Sequence, residues 1–314
     1  MNATDSKQQM LYWAGQMGIP VSASEADLKL LQVNEVKIID LLPEMLIMIR
    51  SVIARETFSY KRKSIDIIKN GLLVSFQNIF NVPGKALPHE RLLLQPHVRI
   101  TLLHLDSEVI FPRGINIRQV TILIELEYLK KFIGRDHSKF DYLFIEDKTL
   151  FIEEFMSPEV ATVVNEVANL SAVILSDAYY KLKALELLYN LFRNLLSRQD
   201  RVHQNLSNYE IEALYKVRDK IASSLYQPFE QSQLIKMSGM NALKLRKLFT
   251  QVFGKGIYEY YQHLRMQEAA RLMRQEHLSV SEAGYQLGFS NLSYFGRLFE
   301  RHLGTKPKKW SAQL

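Results

Sequence analysis

Two groups of cations carry the chemistry that is legible in this 314-residue chain. Ser293, Arg297 and Arg301 follow one another at intervals of four, so a helix through them sets all three on one face. Fifty residues upstream, Lys244, Arg246 and Lys247 form a second basic group. Cations on an exposed helix face suit phosphate oxygens and base edges, provided the helix is held rigidly enough to enter a major groove.

The elements that must hold them are readable in the stretch Leu278 to Trp310. Ser279 or Ser281 can cap a first short helix, with Val280, Ala283 and Leu287 turned inward. Gly288 ends it, where a positive φ is needed. Ser290 or Asn291 can cap a second helix that buries Phe295, Leu298 and Phe299. That pattern is a helix-turn-helix. Upstream, helices are expected at Asn208–Ser223, with Ser207 or Asn208 as cap, and at Glu230–Met237. Gly239 then makes a turn, and Asn241 caps a helix burying Leu245, Leu248 and Phe249. The pattern repeats with an offset of 50, pairing Lys247 with Arg297, Phe249 with Phe299, Gly254 with Gly304 and Tyr260 with Trp310. Between the two units, Ile257–Arg274 reads as one helix about 27 Å long. With the offset of each unit from its ends, the two basic helices come roughly one DNA turn apart, about 34 Å.

Charge agrees with this division. Residues 209–314 hold 16 Lys and Arg against 9 Asp and Glu, the whole net charge of +7, and the remainder holds 24 of each sign. A solvated basic face is the plainer reading of so small an excess. No cysteine is present, which excludes disulfides, thiolate metal sites and a Cys nucleophile. The N-terminus MNATDSKQQML lacks a basic, apolar leader pattern, and no apolar run approaches the ~20 residues of a membrane span. The expectation is a cytoplasmic protein with no membrane partner.

The first two thirds should form a sensing and dimerisation domain over residues 1–199, followed by a linker at 200–207 and the DNA-binding domain at 208–314. A short helix is expected at Ala23–Leu31 and a small cupin-like antiparallel barrel or sandwich over about 36–127. Its strands are Val36–Leu42, Met45–Ile53, Leu72–Phe76, Val98–Leu105, Glu108–Phe111 and Val120–Glu127, with a hairpin turn at Asp106 and Ser107. Helices fill about 128–198, including Pro158–Leu170, capped by Ser157, and Asp177–Arg198. In the latter, Leu185, Leu188, Phe192 and Leu195 make a seam two heptads long, either a dimer contact or the face packed on the barrel. The overall class is α+β with an all-α C-terminal domain.

Residues 208–314 resemble the AraC/XylS family of bacterial transcription regulators. SVSEAGYQLGFSNLSYFGRLFERHLGTKPKKW is similar to the family's second helix-turn-helix signature, and GMNALKLRKLFTQVFG with YYQHLRMQEAARLM to its first unit and linking helix. The first unit and parts of the N-terminal region look most like siderophore-responsive members. The resemblance implies a DNA-binding transcription regulator, usually an activator, with RNA polymerase as protein partner and a homodimer as the common form. It carries base-reading roles onto Leu243, Arg246 and Lys247 in the first unit and Leu292, Ser293 and Arg297 in the second. Lys244, Arg301, Lys306 and Lys308 suit phosphates. Asn241 and Asn291 suit capping ahead of a DNA contact. Gly284 and Gly296 depart from the family pattern without removing a contact residue.

Other chemistries are weaker. His89, His97 and His104 lack the HxH spacing and the glutamate of a cupin metal site, so no metal is expected. Asp106 and Glu108 read as turn residues, Ser238–Gly239 lacks a nucleophile-elbow context, and Gly254-x-Gly256 follows a helix rather than a strand. Tyr258, Tyr260, Tyr261 and Phe253 read as core between the two units. No cofactor is expected. A small-molecule effector fits a barrel interior, but no residue names it. The competing classes are a cupin-type enzyme with a DNA-binding tail and a ligand-independent architectural protein.

Overall fold

The computed structural model describes residues 31–312 except 63–67, 69, 81–95, 106, 112, 115, 145–148, 169–173 and 199–203. Ala23 to Leu30 of the expected short helix, and His89, lie outside them. The chain divides into two compact units, the second beginning at Ser207.

The first unit has strands β1 (Leu31–Leu42), β2 (Met45–Ala54), β3 (Phe58–Arg62), β4 (Gly71–Phe80), β5 (His97–Leu102), β6 (Ser107–Phe111), β7 (Asn116–Glu125) and β8 (Phe151–Phe155). Six form an antiparallel sheet in the order β1-β2-β7-β4-β5-β8, and β3 with β6 makes a separate two-stranded sheet. The central strands β2 and β7 are buried on both faces because both faces are covered. On one face Ile47, Ile122, Val74, Ile100 and Ile152 stand level across five strands. Helices α1 (Leu126–Ile133), α2 (Pro158–Ala168) and α3 (Ser176–Leu195) complete that core with Leu129, Val163, Val164, Leu187 and Leu191.

The other face is mixed. Met48, Thr121, Ser75, Arg99 and Glu153 stand level across it, and Arg50 faces Gln119 one step along. Arg50, Ser75, Gln119, Thr121 and Glu153 are all buried. Buried polar groups need partners, and here Arg50 donates to Gln119, which donates to Ser75 Oγ. The Arg50 guanidinium lies 5.4 Å from the ring centre of Phe111 in β6, so the two-stranded sheet shelters this face.

Several sequence expectations change here. β5 and β6 lie in different sheets, so they are not the two arms of a hairpin. β5 ends at Leu102, which leaves His104 in an exposed turn rather than inside the expected strand Val98–Leu105. The helical region is interrupted by 3₁₀ turns at Gly134–Leu143 and by β8, whose Glu153 and Glu154 hide its strand pattern. The seam on α3 also turns inward. Leu188, Phe192 and Leu195 are buried in the domain's own core, and Leu185 packs against it half-buried. Phe192 meets the Phe140 ring edge-on with centroids 5.1 Å apart. The apolar row of the sheet requires a cover of this kind, and α3 supplies it.

The second unit is all helical: α4 (Asn208–Ala222), α5 (Gln231–Ser238), α6 (Ala242–Phe253), α7 (Ile257–Gln275), α8 (Val280–Gln286), α9 (Leu292–Leu303) and α10 (Pro307–Ser311). α7 is its axis, buried almost all round, and its 19 residues span about 28 Å. Among the described residues no helix is long and apolar enough to cross a membrane.

Candidate nucleic-acid interface

The two basic helices are built alike. Asn241 caps α6 by accepting from Lys244 N at 2.9 Å, and Asn291 caps α9 by accepting from Tyr294 N at 2.9 Å. Each cap satisfies one orphan amide of the first turn. The preceding helices end at Gly239 (φ 65°) and Gly288 (φ 79°), left-handed positions that a Cβ would strain. Ser279 rather than Ser281 caps α8, in a reciprocal box with Glu282, and Ser207 does the same for α4 with Glu210. Leu245, Leu248 and Phe249 of α6 are buried, as are Phe295, Leu298 and Phe299 of α9. Gly284 lets the units of the second pair close: a Cβ there would stand 2.8 Å from Leu292 Cδ2 and 3.4 Å from Phe295 Cδ1. At Gly296 a Cβ would meet nothing within 4 Å, so packing does not demand glycine there.

The outward faces carry the expected site residues. Leu243 is 61% exposed, and Arg246, Lys247, Ser293 and Arg297 are exposed. Leu292 is half-buried because it leans on Gly284. Arg301 in the last turn of α9, and Lys306 and Lys308 beyond it, are exposed as well. Among the described residues, Arg246, Lys247, Arg297, Arg301, Lys306 and Lys308 have no carboxylate within ion-pair distance. Lys244 differs. Its Nζ lies 2.7 Å from Glu210 Oε1, which ties α6 to α4 and holds the Glu210 carboxyl below its usual range. The two helices are also unequal, because Gly296 stands where α6 has Arg246.

Beneath this surface runs a polar chain that sequence reasoning missed. Tyr258 is 61% exposed rather than core, whereas Tyr260, Tyr261 and Phe253 are buried. Its hydroxyl meets that of Tyr294 on α9 and accepts from Gln262 Nε2 at 2.8 Å. Gln262 Oε1 in turn accepts from Arg265 Nη1 at 3.3 Å. Arg265 also donates to the carbonyl of Leu287, at the end of α8, and lies 3.9 Å from the ring centre of Phe289. A guanidinium on the axial helix therefore holds the turn of the second helix-turn-helix. The only prior signal was a charged residue on the inner face of a helix.

A second buried group sets a pH dependence. Burial, followed by Lys255 and His302, pushes His263 down to about 3. It stays neutral in the folded domain, whereas the unfolded chain takes up a proton near pH 6.5. Stability is therefore full above that value and falls as pH drops toward 3. Between pH 8 and pH 5 the loss should be roughly 2 kcal/mol. His263→Gln should flatten the curve in chemical denaturation measured across that range. An unchanged slope in the variant would refute the assignment.

A family model described as a helix-turn-helix domain matches residues 234–313. The chain is 30% identical over 95 residues to the HTH-type transcriptional regulator GlxA of Rhizobium meliloti (strain 1021), covering 30% of this chain and 29% of that protein. It is 29% identical over 126 residues to the HTH-type transcriptional activator RhaR of Escherichia coli (strain K12), covering 40% of this chain and 45% of that protein. The match thus spans less than half the length of these curated relatives. Among solved structures, ToxT from Vibrio cholerae aligns over 86% of this chain and 99% of its own at 13% identity and a TM-score of 0.32. The DNA-binding domain of AdpA in complex with a target DNA aligns over 34% and 93% at 21% identity and a TM-score of 0.29. Through residues 234–313, then, this chain carries an AraC-type helix-turn-helix domain.

Proposed function

We propose that the chain is a sequence-specific DNA-binding transcription activator that lays α6 and α9 in two successive major-groove segments. The observation that carries this reading is the matched pair of capped helices. Each buries one face on or near a common axis and presents exposed cations, Arg246 and Lys247 on α6 and Arg297 and Arg301 on α9, that have no carboxylate partner among the described residues. Leu243, Arg246 and Lys247 read bases through α6, and Leu292, Ser293 and Arg297 through α9. Arg301, Lys306 and Lys308 bind phosphates. Lys244 joins them only by exchanging Glu210 for a phosphate oxygen, so it contributes least. RNA polymerase is the protein partner of such an activator, and the first unit supplies control as a homodimer. There a small effector meets the buried row of Arg50, Gln119 and Ser75.

The test is a salt series on a duplex selected from a random pool with the full chain. Neutralising four phosphates gives log K a slope of about −3.6 against log salt. Lys308→Ala should lower that magnitude by about 1, equally on selected and unrelated duplexes. A flat series would remove the docking mode from consideration.

A further inference from the structure

One buried cation in the first unit lacks a counterion. Arg50 on β2 is 6% exposed, yet among the described residues its guanidinium makes one hydrogen bond, from Nε to the neutral Gln119, and no ion pair. Both terminal nitrogens can only donate, and neither has an acceptor there. The guanidinium also lies over the Phe111 ring, so one of its faces is occupied and its outer edge is not. Along the two levels of strand pairing that run through Arg50 and Ser75 on this face, the one carboxylate is Glu153, and Arg99 already holds it at 3.4 Å. Two guanidiniums therefore share one carboxylate. A buried charge without a partner is costly, and chains keep such a group chiefly where it is used.

We propose that Arg50 receives the carboxylate of a small organic acid; this names the chemical class of the effector proposed above and rests on that reading. A carboxylate fits the open edge, because it accepts in plane from two N–H groups at once while Phe111 keeps the face. A single negative charge balances the row, whereas a phosphate dianion would leave a buried charge of the opposite sign. Gln119 orients the guanidinium: its oxygen accepts from Arg50 Nε and its amide donates to Ser75 Oγ, which fixes both ends of the side chain. Leu46, Met48, Leu73 and Leu123 form the apolar cluster of the same face, so the body of the acid is apolar.

Calorimetric titration of the full chain at neutral pH with acetate, butyrate and hexanoate, each beside its uncharged amide, tests the proposal. Affinity should rise with chain length and reach a Kd of about 1 mM for hexanoate, with hexanamide about tenfold weaker or worse. Arg50→Lys, which keeps the charge and loses the fork, should weaken hexanoate about tenfold, and Arg50→Met about a hundredfold. Chemical denaturation without any acid separates this role from a structural one. Arg50→Met should be no less stable than the unmodified chain, because an apolar side chain replaces an uncompensated charge. Acids that bind no better than their amides, binding that survives Arg50→Met, or a destabilised acid-free variant would each overturn the proposal. Duplex binding with and without hexanoate keeps the readings apart. Hexanoate held through Arg50 with duplex affinity unchanged would sink the effector reading and leave the site, whereas an amide that binds as well and alters duplex affinity would do the reverse.

Discussion

Arg265→Ala is expected to lower the stability of the C-terminal domain by about 3 kcal/mol, the largest effect of any charged residue there. The guanidinium is buried, and burial pushes its pKa down, which marks it as desolvated. Burying a charge is costly unless the partners are good. The partners here are the Leu287 carbonyl, Gln262 and the faces of Phe289 and Tyr261, with no carboxylate among them. Truncation removes these contacts, leaves the Leu287 carbonyl without its side-chain donor, and opens a void beneath Phe289. Arg265→Met separates the terms, because it refills the void without restoring the hydrogen bond. Met should therefore cost less than Ala, and both should loosen the second helix-turn-helix before the first. Hydrogen exchange at the amides of α8 and α9 reads this directly. Uniform exchange throughout the domain would show that Arg265 does not hold the second unit in particular.

Arg246→Ala and Arg297→Ala are expected to produce the largest losses in duplex recognition, roughly 1–3 kcal/mol each against the selected sequence. Both are exposed and, among the described residues, without carboxylate partners, so neither truncation should disturb the fold. The asymmetry between the helices shapes the outcome. α6 offers Arg246 and Lys247 on adjacent positions, whereas α9 offers Arg297 beside Gly296. Removal of Arg246 should therefore relax preference at one base step while Lys247 still holds the backbone. Removal of Arg297 should cost the second segment more of its preference, because Leu292 and Ser293 are left without a neighbouring cation. Competition with unrelated duplexes distinguishes these losses from a phosphate contact, which weakens all sequences alike. An equal loss on every duplex would reassign the two arginines to the backbone.

How much of this was readable beforehand depended on whether the signal was local. Caps and turns are local chemistry: Asn241, Gly239 and Gly288 sit where residue type alone put them, and the structure chooses Ser279 and Asn291 from two candidates each. The duplication was equally plain, since α6 and α9 begin at positions separated by the 50-residue offset. What depends on neighbours was not readable. On α3, periodicity finds the seam from Leu185 to Leu195 and cannot say whether the sheet or a second chain will cover it. Tyr258 looked like core because it lies among buried aromatics, yet it falls on the outer side of α7. Lys244 looked like a free cation because Glu210 is far away in sequence and close only in the fold. The polar row of Arg50, Gln119 and Ser75 spans three strands, and no single strand pattern contains it.

The central claim is that one chain reads two major-groove segments about one helical turn apart, spaced by α7. Full-chain affinity should be measured for the selected duplex and for versions with five or ten base pairs inserted between its two segments. A half-turn insertion, about five base pairs, should reduce affinity to that of a duplex carrying one segment, because it turns the second groove to the far side. A full-turn insertion should not restore it, because α7 cannot lengthen. Affinity unchanged by either insertion would contradict the account.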